Sequence, residues 1–280
     1  MPDQPLTPTP RQTDLPVMAM PYVPPQETGV QPQIQRIGFW APFTWLQKGG
    51  HDLLSHPWIA LFYGLAFAAM AEVLAFVFRR APEYTLTMVS GCLLVGPFMA
   101  MGLYEVSRRK EQGIVCELSD SLTCWDKHIR SMAMLVLVLM VLELLWGRAS
   151  LVVFAVFFNT GMPSTTGVVQ AIFNPENYEF VLAYMVIGSV FAALVYSLAV
   201  VSIPMILDRD TDAISAAITS ISVVYNNTAA LLLWGFLISL SVVLALWPWG
   251  LGLIVVGPLL GHASWHAYRA CVHWPNASAS

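Results

Sequence analysis

The chain has 280 residues, 57% of them hydrophobic and 11% charged, with a formal net charge of −4. Soluble domains carry about 25% charged residues, so this balance excludes an ordinary water-solvated domain. No basic block marks a nucleic-acid surface, and most charges sit in short stretches between long apolar runs, the pattern of a chain solvated by lipid.

Residues 1–36 are rich in Pro, Gln and Thr and poor in large apolar side chains. Such a segment cannot bury enough surface to offset its chain entropy, so a disordered tail is expected, with a Pro-rich docking segment as the alternative. No basic region followed by an apolar core opens the chain, and the first membrane helix is expected to serve as its own uncleaved insertion signal. Six apolar runs follow: Trp58 to Phe78, Leu86 to Val106, Met132 to Phe158, Phe180 to Leu207, Ala229 to Leu246, and Leu251 to Cys271. About 20 apolar residues at about 1.5 Å each cross a hydrocarbon core of about 30 Å, so each run suffices for a span. In lipid the backbone must satisfy its own hydrogen bonds, and runs this long imply helices rather than barrel strands. Trp247-Pro248-Trp249-Gly250 separates the last two runs as an interfacial turn. The expected organisation is a tail over 1–36, a six-helix transmembrane domain over 37–272 and a short tail over 273–280.

Lys and Arg set the orientation. Arg108, Arg109, Lys110, Lys127 and Arg130 follow the second run, and Arg11, Arg36, Lys48, Arg209 and Arg269 fall on the same side. The other side has Arg79 and Arg80, and Arg148 is embedded in the third run. The positive-inside rule puts the richer side, and with it both termini, in the cytoplasm. Three of the four cysteines (Cys92, Cys116, Cys124, Cys271) fall on that side, where thiols stay reduced.

A threefold repeat emerges when the runs are aligned. Phe43 to Ser55, Glu117 to Ser131 and Ala213 to Asn227 each precede a pair of runs and read as interfacial amphipathic helices. In the second, Leu118, Leu122, Trp125 and Ile129 recur at helical spacing. The second run of each pair carries a proline near its cytoplasmic end: Pro97, Pro204 and Pro258. The fold class expected is therefore an all-α polytopic membrane bundle of about six transmembrane helices, arranged as three hairpins each preceded by an interfacial helix.

Several segments carry a family resemblance. They are Phe62-Tyr63-Gly64-Leu65, Gly96-Pro97-Phe98, Gly102 to Arg109, Ser202 to Arg209, and above all Gly261-His262-Ala263-Ser264-Trp265-His266-Ala267-Tyr268-Arg269. Together they resemble the bacterial integral membrane family called domain of unknown function 2189, over about residues 37 to 272. The resemblance implies a six-helix inner-membrane protein and assigns no catalytic residue. Some members of that family carry a label likening them to cytochrome c oxidase subunit I.

Candidate functional residues follow from polar groups in apolar surroundings. His262 and His266 share a face of the sixth helix, a spacing that can present two imidazoles to one metal, although Ala-Ser-Trp between them supplies no general base. The readings for this pair are a structural pair bonded to neighbours, a proton or ligand site, and a weak metal or haem site. No haem or metal is expected as a resident cofactor. Cys124 with His128, and Cys271 with His273, lack a CxxC pair and read as apolar fillers rather than zinc ligands. Glu72, Glu143 and Arg148 lie deepest in the runs, where ionisable groups usually face the interior and pair. Glu72 falls about 21 Å and Arg148 about 24 Å along their helices at 1.5 Å per residue, which suggests an intramembrane ion pair. Gly257 and Gly261 form a face of small residues expected to pack within the bundle. Finally, the three prolines bend helices whose ends carry Glu105 and Arg108, Asp208 and Arg209, and His262, His266 and Arg269. These ends are expected to converge in one polar cluster at the cytoplasmic face, acting as a latch or as a binding site.

Three functional classes remain: a non-catalytic protein that binds a partner, binds lipid or assists another complex; a small-molecule transporter; and a haem- or metal-binding protein associated with respiratory complexes. The bilayer is an expected partner in all three, a membrane protein is one in the first, and nucleic acid is one in none.

Overall fold

The computed structural model describes residues 31–81, 84–158, 177–247 and 249–275. The first thirty residues of the Pro-rich tail, Pro163 in the loop after the third run, Pro248 of the interfacial turn and residues 276–280 lie outside the described residues. Ten α-helices are described: α1 (Ala41–Ser55), α2 (Pro57–Arg80), α3 (Thr85–Glu111), α4 (Leu118–Thr123), α5 (Ile129–Phe157), α6 (Tyr178–Ala199), α7 (Ser202–Arg209), α8 (Ala213–Asn226), α9 (Thr228–Leu246) and α10 (Leu253–Cys271). Two short strands, β1 (Gln33–Ile34) and β2 (Val272–His273), pair antiparallel. Residues ahead of 37 thus pack onto the end of α10. Gln35 N–H donates to the Cys271 carbonyl at 2.9 Å, and Asn227 holds the same segment through its side chain, accepting from Ile37 N–H and donating to the Gln35 carbonyl.

Among the described residues, four stretches are long and apolar enough to cross a membrane: Pro57–Arg80, Leu118–Phe157, Tyr178–Arg209 and Thr228–Leu246. The second and sixth expected runs form α3 and α10 but are not among the four. In α10 composition explains this, since Gly257, Pro258 and Gly261 are joined by His262, His266 and Arg269. α3 keeps its charges to its last turns, from Glu105 to Glu111.

Two expectations about continuity are corrected. The fourth run is broken, since α6 ends at Ala199 and α7 starts at Ser202. Pro204 has no N–H to return to the preceding turn, and the Ser220 hydroxyl of α8 enters at the break to accept from Val201 N–H at 3.2 Å. The second interfacial stretch is also broken. A capping box between Glu117 and Asp120 starts α4, which ends at Thr123, and a single 3-10 turn (Asp126–His128) leads into α5. Between the two, Trp125 meets Phe98 edge-on with ring centroids 5.6 Å apart.

α10 stands at the centre, with α1, α2, α3, α7 and α9 packed around it. Close approach requires small residues: a Cβ on Gly64 would fall within the Ile254 backbone of α10, and one on Gly49 would meet the Ala263 backbone nitrogen at 2.7 Å. Gly257 and Gly261 face Phe67 of α2 and Leu103 of α3, inside the bundle. The main core lies toward the basic end and includes Trp45, Tyr104, Met132, Met205, Trp234, Trp265 and Tyr268. Trp45 and Trp234 meet edge-to-face there at 5.6 Å. Among the described residues, a small cluster around Val153, Phe154 and Phe180 lies near the far ends of α5 and α6.

Candidate functional site

The site is built where α1, α3, α7 and α10 end together. α3 supplies most of the charge. Its last turn holds Arg108, Arg109 and Lys110, where cations complement the helix dipole. Gly113, at φ 68°, closes the helix, and Ile114 N–H returns to the Arg109 carbonyl at 2.9 Å. Glu105 lies one turn back, 3% exposed at its side chain, between Arg108 and Arg109, each with its Nε at 2.7 Å. Arg109 also reaches Asp120 of α4 at 2.7 Å.

Asp52 of α1 is the hub. It is 5% exposed and accepts from Ser107 Oγ at 2.7 Å and His266 Nε2 at 2.7 Å, with Lys110 Nζ at 2.8 Å. Burial alone would push its carboxyl up, but these donors outweigh burial and hold its pKa well below the ordinary value of 3.8. Because the single Ser107 proton goes to a carboxylate, Ser107 Oγ is the acceptor for His262 Nδ1–H at 2.9 Å. His262 is fully buried, and its Nε2 then carries a lone pair with no hydrogen-bond partner among the described residues. Lys110 reaches further along α1, to Ser55 Oγ at 2.6 Å and the His51 carbonyl at 3.2 Å.

A second string of polar groups runs beside the first. Trp274 Nε1–H donates to Tyr268 Oη at 2.9 Å, and Tyr268 donates to Asp208 Oδ2 at 2.7 Å. Arg209 and Arg269 approach that same oxygen at 3.4 Å and 3.8 Å. Arg269 also faces Glu111 at 3.2 Å, and Glu111 lies 3.6 Å from His266 Nδ1. Through His266 and Glu111 the two strings form one network. Beside it opens a cleft of about 290 Å³, lined by Arg108, Glu111 and Gln112, by Asp208 and Arg209, and by Trp265 and Arg269.

All seven residues singled out from sequence for this end, Glu105, Arg108, Asp208, Arg209, His262, His266 and Arg269, lie in or beside this network. Sequence reasoning missed its hub. Asp52 was hidden in a stretch read as interfacial, but a signal existed: Pro42, Trp45, Gly49 and Asp52 recur every three or four residues and form the buried stripe of α1. Ser107, Glu111, Tyr268 and Trp274 were also missed.

The expected pair of Glu72 and Arg148 is corrected. Glu72 lies 4.0 Å from Arg79 of its own helix, and among the described residues neither Arg148 nor Glu143 has an ion pair. α2 packs on α10 and α3, whereas α5 packs on α6 and α3, so equal depth did not bring the two residues together. His128 faces Asp210 at 2.9 Å, and all four cysteines are free. The Cys116 thiol, in the loop before α4, is pushed up to about 11 by burial. Among the described residues no group of three or more His, Cys, Asp or Glu side chains is arranged to hold a metal ion.

Long apolar helices whose polar residues gather at one end define an integral membrane protein. Residues 85–208 match the family model described as "Predicted integral membrane protein (DUF2189)". The match runs from α3 to Asp208 and leaves α1, α2 and α8 to α10 outside it. No curated protein and no solved structure matches the chain.

Proposed function

We propose that this protein is a non-catalytic, six-span component of the inner membrane that holds a lipid or a membrane-protein partner at its cytoplasmic face. In this reading α3 and α10 are the second and sixth spans, and α2–α3, α5–α6/α7 and α9–α10 are three hairpins, each led by an interfacial helix. The positive-inside rule supports cytoplasmic termini, since Arg108, Arg109, Lys110, Arg209 and Arg269 share one end. The observation that carries the reading is the pairing of Asp52 with Ser107, Lys110 and His266. It spends the strongest acids and bases on one another and latches three elements together beside an open polar cleft. A site built for proton transfer to a substrate would instead leave such a group free toward the cleft. The protein needs no resident metal or haem in this account.

Two measurements test it. Reporter fusions after Lys110 and Asp210 are expected to read cytoplasmic, and a fusion near Pro163 periplasmic; a periplasmic signal at Lys110 overturns the topology. In the second, His262→Gln and His266→Gln are assayed separately for folded yield and for what is retained on purification in mild detergent. Loss of yield and retention together marks the latch, and normal yield with lost retention marks the site.

Transport is a second reading, favoured by the break between α6 and α7 with Ser220 at the freed backbone. Discontinuous helices of this kind line substrate paths in transporters. Uptake by vesicles that depends on Ser220 would favour it over the first.

A further inference from the structure

We infer that the cleft between the ends of α3, α7 and α10 binds a phosphate group, carried either by an anionic phospholipid or by a free phosphate. The inference rests on the binding reading above and names the ligand chemistry.

The three arginines of the cleft are not equivalent. Arg108 is spent, with Nε and NH2 on the two oxygens of Glu105 at 2.7 and 2.9 Å. Arg209 and Arg269 make ion pairs at 3.2 to 3.8 Å but donate no hydrogen bond among the described residues. Each guanidinium offers five N–H donors, so most of the donor capacity of the cleft is unspent. Both side chains are half exposed, at 46% and 42%, and open to a ligand. Neither is loose: Arg209 lies over the Trp274 ring at 5.1 Å, and Arg269 is steered by Glu111.

The carboxylates take up only part of this capacity. Asp208 Oδ2 already accepts from Tyr268, and both arginines crowd the same oxygen. Glu111 is shared between Arg269 and His266. With Arg108 neutralised by Glu105, Arg209 and Arg269 face Asp208 and Glu111, so the cleft is balanced in charge but rich in unspent donors. Two like charges around one shared oxygen are relieved by a further anion. A tetrahedral phosphate suits the geometry, because its oxygens can accept from two guanidinium forks at once. The position suits it too: basic pockets between helix ends on the cytoplasmic side lie at the level of lipid headgroups.

The test uses the full chain. In neutral detergent, inorganic phosphate is titrated at constant ionic strength and the thermal midpoint is followed. In nanodiscs of phosphatidylcholine with and without phosphatidylglycerol, the lipid retained after extraction is measured. The wild type is compared with the double variant Arg209→Gln, Arg269→Gln, and with Arg130→Gln, an exposed arginine outside the site. Stabilisation by inorganic phosphate alone identifies a free phosphate, and retention of phosphatidylglycerol alone identifies a headgroup; both support the inference. Binding is expected to weaken roughly tenfold for each arginine neutralised and to be unchanged in Arg130→Gln. Arg209→Lys, which keeps the charge and loses the fork, should fall between. If the double variant folds poorly, the wild-type titrations still decide. If neither probe binds, the inference is overturned. In that event a protein partner still lost on His262→Gln or His266→Gln at normal folded yield leaves the broader reading standing, whereas retention of nothing removes both.

Discussion

α9 and α10 are neighbours of equal length, 19 residues each, and they use that length in opposite ways. α9 is apolar on every side and leaves Leu232, Phe236, Leu240, Val243 and Leu244 exposed. α10 carries two histidines, a tyrosine and an arginine, and it buries His262, Trp265, His266 and Tyr268 at the centre of the bundle. In water the more apolar helix would go inside. In lipid, apolar side chains gain little by leaving the tails, whereas polar groups must find partners and small residues permit contact. Polarity therefore marks the interior here, and the interior is richest at the end where Asp52 gathers α3 and α10.

The largest expected effect breaks that gathering. Asp52→Ala removes the acceptor of Ser107, His266 and Lys110 and leaves buried donors unpaired. A loss of about 3–5 kcal/mol is expected, read as the free energy of unfolding in mixed micelles. A loss below about 1 kcal/mol would show that the network is ornamental to stability. The next effect tests close packing on the same helix. Gly64→Ala drives a Cβ into the Ile254 backbone and should cost about 1–3 kcal/mol or more. Leu240→Ala on α9 faces lipid, and the same measurement should find less than about 1 kcal/mol. Equal costs at the two sites would erase the contrast between the helices.

Acid sharpens the comparison further. The Asp52 carboxyl is depressed in the folded protein, so its contribution is complete above its ordinary pKa of 3.8 and drains away as pH falls below that value toward the folded one. Unfolding midpoints measured through this window should decline in the wild type, and the decline should be shallower in Asp52→Asn. An unchanged slope would assign the acid lability to other carboxylates. A further effect concerns the segment before α1 that Asn227 holds. Asn227→Ala deletes two hydrogen bonds to residues 35 and 37 and should cost about 1–2 kcal/mol. Faster hydrogen exchange at Ile37, with α10 unaffected, is the expected signature.

Much of the site could be read from residue order, because cost drives its logic. Glu105, His262 and His266 are expensive in apolar runs, so they had to be partnered, and prolines upstream pointed to converging helix ends. Depth along a helix was a weaker guide. It placed Glu72 level with Arg148 but carried no information on which helices touch, and Arg79 was nearer. Asp52 escaped for the opposite reason: in a short helix outside the apolar runs a carboxylate costs little, so only its place on the stripe of Pro42, Trp45 and Gly49 pointed inward.

The amino-acid order by itself determined the lipid-solvated helical class, the positions of the apolar runs and the turn at Trp247–Gly250, because hydropathy, helix period and breakers act over a few residues. Only the tertiary structure decided that α10 is central, that the fourth run breaks at Val200–Val201, and that Asp52 meets His266 across 214 positions. These depend on which helices pack together, and that choice is made by close contact at glycines and by satisfaction of buried polar groups between segments far apart in the chain.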